Sequence, residues 1–345
     1  MKILLFCKAS YSFSILRPIE LAAKQRGHQI LWYASPNISG KFPFIQDHTF
    51  TSSIDEAERY VPDAIFVPGN AVPHFFRGVK VQVFHGFAGE KKGHFRIRHY
   101  FDLYLTQGPF FTREFQRLAK IHGDMEVKET GWPKIDPLFN GTVDTDDLSR
   151  KYQIAAEQKV ILYAPTFSPK LTSAPYLIDE LEAIGNTEVN GIRNKILIKF
   201  HPLMSSELLD MYQERFKEST QVYIADEDDL TPFLLLADLM ISDTSSAVYE
   251  FLMFDKPVIT FKTTTSKKTW VDISDPEKLS AECLKSLAAG KITDNPIKQE
   301  YHPYTDGRSA ERMLDAVEKH IDEHGVPKRR KLDWWRRFKT RRSRW

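Results

Sequence analysis

Short apolar runs recur along the chain and alternate with longer segments of mixed polarity. The runs Lys2–Phe6, Gln29–Tyr33, Ala64–Val67, Lys80–Phe84 and Leu103–Thr106 read as buried strands. After a polar stretch the pattern resumes at Lys159–Tyr163, Lys195–Phe200, Gln221–Ile224, Leu239–Ile241 and Pro257–Phe261. A helix is predicted from about Phe13 to Gln25, with Gly27 suited to the position just past its end. Strand and helix alternation implies parallel sheets with helices on both faces. The strands are too many for one comfortable sheet, and 345 residues suffice for two α/β cores. The polar segment Asn140–Asp147 suits a surface linker. The expected layout is an N-terminal domain over 1–140, a linker over 141–150, a C-terminal domain over 151–315 and a final helix and tail over 316–345.

In open α/β sheets ligands bind beyond the carboxyl ends of the strands, so the residues after each run are the candidates for chemistry. Leu239–Ile241 ends at Ser242-Asp243-Thr244-Ser245-Ser246, followed at once by a helix-forming run. Backbone N–H groups at a helix start, with hydroxyls beside them, suit a phosphate. Asp243, Ser245 and Ser246 also suit ordinary N-capping, and the turn alone does not choose between the two. His85 follows the run ending at Phe84, and His201 follows the run ending at Phe200. A histidine so placed can act as general base near neutral pH, or simply end a strand by bonding to backbone. Of the other histidines, His28, His48, His74, His122, His302, His320 and His324 read as surface or loop residues, while His94 and His99 lie near His85 in a basic, solvated segment. No glycine-rich dinucleotide fingerprint follows the first strand, and no phosphate-loop motif occurs. No His/Cys/Asp group has metal-ligand spacing, so neither a metal nor another cofactor is expected.

Six motifs stand in series: His85-Gly86, Tyr163-Ala164-Pro165-Thr166, Lys199-Phe200-His201-Pro202, Ile241–Ser246 with Glu250-Phe251, Lys256-Pro257-Val258, and Asp306-Gly307-Arg308 through Arg312. From about residue 80 to 315 this resembles the CDP-glycerol glycerophosphotransferases of teichoic-acid and related polymer synthesis. The resemblance implies a GT-B-like fold, with two Rossmann-like domains whose parallel sheets face a central cleft. It implies transfer of glycerol phosphate, or a similar polyol phosphate, from a CDP-activated donor to a glycan or polyprenol-linked acceptor, with release of CMP. It makes His85 the base that deprotonates the acceptor hydroxyl and His201 the histidine that meets the pyrophosphate. Thr166, Thr244, Ser245 and Ser246 would contact donor phosphate and Glu250 the ribose hydroxyls, while Arg308 and Arg312 would contact phosphate or form surface salt bridges. The family's usual Trp-His-Gly-Thr-Pro-Leu-Lys stretch is here Phe84-His-Gly-Phe-Ala-Gly-Glu-Lys-Lys92, leaving Gly86, Lys91 and Lys92 as the acceptor-side candidates. A GT-B glycosyltransferase or UDP-sugar 2-epimerase, and a non-catalytic nucleotide- or polyanion-binding module, are the alternatives.

Charge adds a second partner. The net charge of +2 hides ten Lys or Arg against one acid from Lys328 to Trp345, which leaves −7 on the residues before. That tail interleaves its cations with aromatics, and Arg329, Arg330, Trp334, Trp335, Arg336, Arg337 and Trp345 suit an anionic membrane surface. Nucleic acid is the rival for such a segment but is not the expected partner. Cys7 and Cys283 lie far apart, and Cys7, ending a predicted buried strand, reads as a structural thiol rather than half of a disulfide; the opening residues form a strand rather than a secretory leader, and no apolar window is long enough to span a bilayer. The expected location is the cytoplasm, peripheral on the inner face of a bacterial membrane.

Overall fold

A computed structural model of the chain describes residues 1–43, 49–87, 89, 93–189, 191–227, 229–266, 268–330 and 332. The chain divides into two units, one of Met1–Asn140 with the described residues from Gln299 on, the other of Gly141–Lys298.

The first unit is built on seven strands: β1 (Lys2–Cys7), β2 (Gln29–Ala34), β3 (Phe50–Thr51), β4 (Ala64–Val67), β5 (Val79–Gln82), β6 (Leu103–Thr106) and β7 (Glu126–Glu129). They lie in the order β3-β2-β1-β4-β5-β6-β7, every pair parallel. Central strands of a helix-covered parallel sheet have two buried faces and so read as continuous apolar runs. Ile3, Leu4, Leu5, Ile65 and Phe66 accordingly have no exposed surface. The sheet edge β7 is Glu-Val-Lys-Glu, a charged strand whose residues are all half-buried. β5 stops at Gln82, two residues short of the predicted end, because Phe84 turns into the left-handed region.

The last helix, Ser309–His324, returns to this first unit and packs on the helix Ser12–Gln25. Asp136, only 2% exposed, accepts the Ser309 and Ala310 N–H groups at 3.0 and 2.8 Å and so caps that helix. Gly307, at φ +64°, lies so close to Asn140 and the Asp136 carbonyl that a Cβ would sit 2.8 Å from each. Residues 299–315 therefore do not stay with the second domain, as expected, but close the first.

The second unit holds β8 (Val160–Tyr163), a short antiparallel hairpin of β9 (Glu188–Val189) and β10 (Ile192–Arg193), β11 (Lys195–Ile198), β12 (Val222–Ile224), β13 (Leu239–Ser242), β14 (Val258–Phe261) and β15 (Val271–Ile273). Its six-stranded parallel sheet runs β12-β11-β8-β13-β14-β15. Leu162 pairs with Leu197 on one side and Met240 on the other, so the carboxyl ends of β11, β8 and β13 come out side by side. The expected linker is partly structured, since Asp146–Lys151 forms a helix with Leu148 buried. Both cysteines are free and buried, one in each unit.

Candidate functional site

Three loops leave the adjacent strand ends of the second unit. β13 passes through Asp243 and the turn Thr244–Ser246 into the helix Ala247–Leu252. Asp243 is 1% exposed, and its carboxylate does not cap that helix. It accepts the Thr166 N–H at 2.9 Å on one oxygen, and the Ser173 N–H and hydroxyl at 2.8 and 2.9 Å on the other. The Tyr163 hydroxyl, 2.8 Å from the Ser173 hydroxyl, extends this buried chain. Asp243 thus ties the serine turn to the loop after β8. Burial pushes its carboxyl up to about 6, against hydrogen bonds that pull it down. Ser246 stands at the helix N-cap without a side-chain bond, and Ser245 makes a long one, 3.3 Å from the Ala247 N–H. Thr244, Ser245 and Ser246 are half-exposed. Thr244 accepts the Thr264 N–H at 3.2 Å, which braces the turn from the β14 side. With only six residues in the helix, local N–H groups and hydroxyls rather than a long dipole favour an anion here.

His201 follows β11. Its Nδ1 accepts the Leu203 N–H at 3.1 Å, and its ring stacks on Phe167 with centroids 4.4 Å apart. A neutral ring that accepts at Nδ1 carries its proton on Nε2 and presents a donor there. Burial, and then the nearby Lys199 charge, hold the pKa of His201 below its ordinary value. His201 is therefore neutral near pH 7 and presents Nε2–H as a donor.

His85 has the opposite tautomer. Its Nδ1 lies 3.1 Å from the Pro68 carbonyl, which can only accept, so Nδ1 carries a proton, and in the neutral ring Nε2 is the acceptor nitrogen. The backbone around it is held at three points. Gln82 donates to the carbonyls of Val67, Pro68 and Gly69, Gln107 to that of Gly86, and the Trp132 indole to that of Phe84. Phe84 keeps φ +66°, a conformation that costs a bulky residue about 1–3 kcal/mol and persists only where packing enforces it. His94 stacks on Phe84 at 5.5 Å, and Phe115 packs at 4.9 Å. Burial, with the adjacent His85 second, lowers His94 to about 4, so it adds no charge beside His85 at neutral pH.

The structure gathers Thr166, His201, Thr244, Ser245 and Ser246 on neighbouring loops of the second unit. Glu250 is on the following helix but 7% exposed. Arg308 is not with them: it belongs to the first unit, and its guanidinium binds Glu311 through Nε at 3.0 Å and Nη2 at 2.7 Å. Arg312 likewise holds Asp306, the Thr130 carbonyl and the Tyr304 ring. The segment 306–312 thus fastens the last helix rather than extending the donor loops. Gly86 is half-exposed beside His85, while Lys91, Lys92 and His48 lie outside the described residues. His74 and His302, expected at the surface, are buried; the His302 Nε2 accepts the Trp132 N–H at 2.9 Å. Sequence reasoning treated Asp243 as a cap and missed Gln82, Gln107 and Ser173, whose roles depend on loops distant in the chain.

Residues 50–267 match the profile of the CDP-Glycerol:Poly(glycerophosphate) glycerophosphotransferase family. The chain belongs to this family. Within it, 164 residues are 29% identical to the teichoic acid glycerol-phosphate primase of Bacillus spizizenii, covering 46% of this chain and 39% of that one. A second stretch of 239 residues is 28% identical to the teichoic acid ribitol-phosphate polymerase TarL of Staphylococcus aureus, covering 61% of this chain and 39% of that one. These matches span well under two thirds of the relatives' own length. A structure of the wall teichoic acid polymerase TagF superposes with a TM-score of 0.68 at 17% identity, over 93% of this chain and 89% of that one. That likeness shows the fold, which is GT-B-like with two parallel-sheet α/β units.

Proposed function

We propose that this glycerophosphotransferase-family chain transfers a polyol phosphate from a CDP-activated donor to a hydroxyl of a glycan or lipid-linked acceptor and releases CMP. Family membership supports the donor class. The opposite tautomers of His85 and His201 carry the division of labour. Nε2 of His85 takes the acceptor's hydroxyl proton, and the oxygen attacks the β-phosphorus that bears the polyol. The bond from that phosphorus to the CMP oxygen breaks, and CMP leaves with the electron pair. Nε2–H of His201, with the N–H and hydroxyl groups of Thr244, Ser245 and Ser246, stabilises the charge that develops on the leaving phosphate. Thr166 borders the same loops, and Glu250 is the residue proposed for the ribose. The basic tail brings the enzyme to the anionic membrane face that carries a lipid-linked acceptor.

CMP release from CDP-glycerol, with CDP-ribitol and UDP-sugars alongside and bacterial membrane extract as acceptor, tests this. His85→Ala is expected to lower turnover by about 10²–10⁴-fold, the usual contribution of a positioned base. His201→Gln, which keeps a donor near Nε2, is expected to retain more activity than His201→Ala. Thermal stabilisation by a UDP-sugar with no CMP release would move the chain to the nucleotide-sugar enzymes of the same fold.

A further inference from the structure

On the far edge of the first sheet, three ligand-type side chains from distant parts of the sequence meet. Glu126 is on β7, and His320 and His324 are on the last two turns of the helix Ser309–His324. A spacing of four places the histidines on one helix face, the arrangement by which two imidazoles reach a single ion. Their ring centroids are 4.8 Å apart. The His320 Nδ1 lies 2.5 Å from the Glu126 Oε2, the His324 Nε2 lies 3.9 Å from the same oxygen, and the three ligand atoms all fall within 4.8 Å of one another.

We propose that Glu126, His320 and His324 form a binding site for a divalent transition-metal ion of the zinc class. Tetrahedral ligation with bonds near 2.1 Å sets ligand atoms about 3.4 Å apart, a value bracketed by the separations present. Two imidazoles and one carboxylate suit zinc or its neighbours, whereas calcium and magnesium need several oxygens. Lys128 holds the other carboxylate oxygen, Oε1, at 2.8 Å, which turns Oε2 toward the histidines. His320 is 11% exposed and His324 is 57% exposed, so the site has a fixed inner ligand and an open outer face for ion entry and a water. Binding replaces the proton between His320 and Glu126 by the metal. It clamps the end of the helix to the sheet edge, immediately before Gly325 turns the chain toward the basic tail.

The test uses the untagged full chain, stripped with a chelator and dialysed, and titrated with zinc chloride by calorimetry, with magnesium chloride in parallel. One equivalent of zinc and none of magnesium is expected, with a rise in the thermal midpoint. His324→Ala, which alters an exposed residue and keeps the Glu126–His320 bond, and Glu126→Gln should each weaken zinc binding by at least about tenfold and abolish the thermal shift. No stoichiometric zinc uptake by the wild-type chain, or equal affinity in both variants, would overturn the assignment.

Discussion

Both carboxylate oxygens of Asp243 are committed to protein donors, and that makes it a positioning residue rather than a ligand of the donor. Its partners, Thr166 and Ser173, lie on the loop after β8, so one side chain fixes the distance between two of the three loops at the strand ends. Asp243→Ala leaves buried N–H and hydroxyl groups unpaired, each worth about 1–3 kcal/mol. Loss of roughly 3 kcal/mol of stability is expected in denaturant melts. Asp243→Asn keeps one acceptor oxygen but sets an NH2 group against the Ser173 donors. It should fold, yet raise KM for the CDP-donor by at least about tenfold. A KM unchanged in a folded Asp243→Asn would show that the loop keeps its place without this tie. The two histidines teach the same lesson at the level of atoms. Both stand just past strand ends, but a carbonyl beside one and an N–H beside the other make the first an acceptor and the second a donor.

At the scale of elements, the last helix depends on a carboxylate some 170 residues earlier in the chain. Asp136 caps it from a buried position, and burial raises its carboxyl from 3.8 to about 6. A raised acid binds its proton more tightly folded than unfolded, so its contribution to stability is full below about pH 4 and is lost as pH rises through 6. Asp136→Asn removes that titration. The stability of wild type relative to Asp136→Asn should therefore improve by on the order of 2–3 kcal/mol as pH falls from 7 to 4, read from denaturant melts at each pH. A difference independent of pH would place the carboxyl's titration at its ordinary value. The central strands were legible because two buried faces demand apolar runs: Ala64–Val67 and Leu103–Thr106 stand where the pattern put them. β7, β3 and β15 were not, since edge strands need no apolar run and Glu-Val-Lys-Glu hides its strand behind charge. The serine turn was legible as a strand meeting a helix. Its bracing by Ser173 and Thr264, and the fastening role of Asp306–Arg312, rest on contacts between segments that no local pattern displays. From the sequence His320 and His324 read only as surface residues, and Glu126 joins them only through the fold.

At the scale of the whole molecule, charge is segregated along the chain, and the described structure shows where the segregation begins. Arg330, expected among the membrane cations, is instead spent on the body: its guanidinium binds Asp102 at 2.7 Å, Asp124 at 2.9 Å and the His99 carbonyl at 3.1 Å. The Pro327 carbonyl accepts the Gly78 N–H at 2.9 Å, and Leu332 is buried. Arg329 is exposed, whereas Trp334, Trp335, Arg336, Arg337 and Trp345 lie outside the described residues. Among the described residues no helix is long and apolar enough to cross a bilayer. Any attachment through the tail therefore rests on the exposed Lys328 and Arg329 and on the residues after the Arg330 anchor. From 333 to 345 the sequence offers six Lys or Arg and four aromatics against one acid, while the residues before Lys328 carry −7 and are repelled by an anionic surface. Each cation near such a surface contributes about 1 kcal/mol, and the attraction falls within a Debye length. A chain ending after Leu332 should keep its melting point, because the Arg330 anchor is intact. It should lose at least about a hundredfold in co-sedimentation with phosphatidylglycerol vesicles, and wild-type binding should fade in 0.5 M salt and on phosphatidylcholine. Equal sedimentation of the shortened chain would assign the membrane contact to the body, against its own charge.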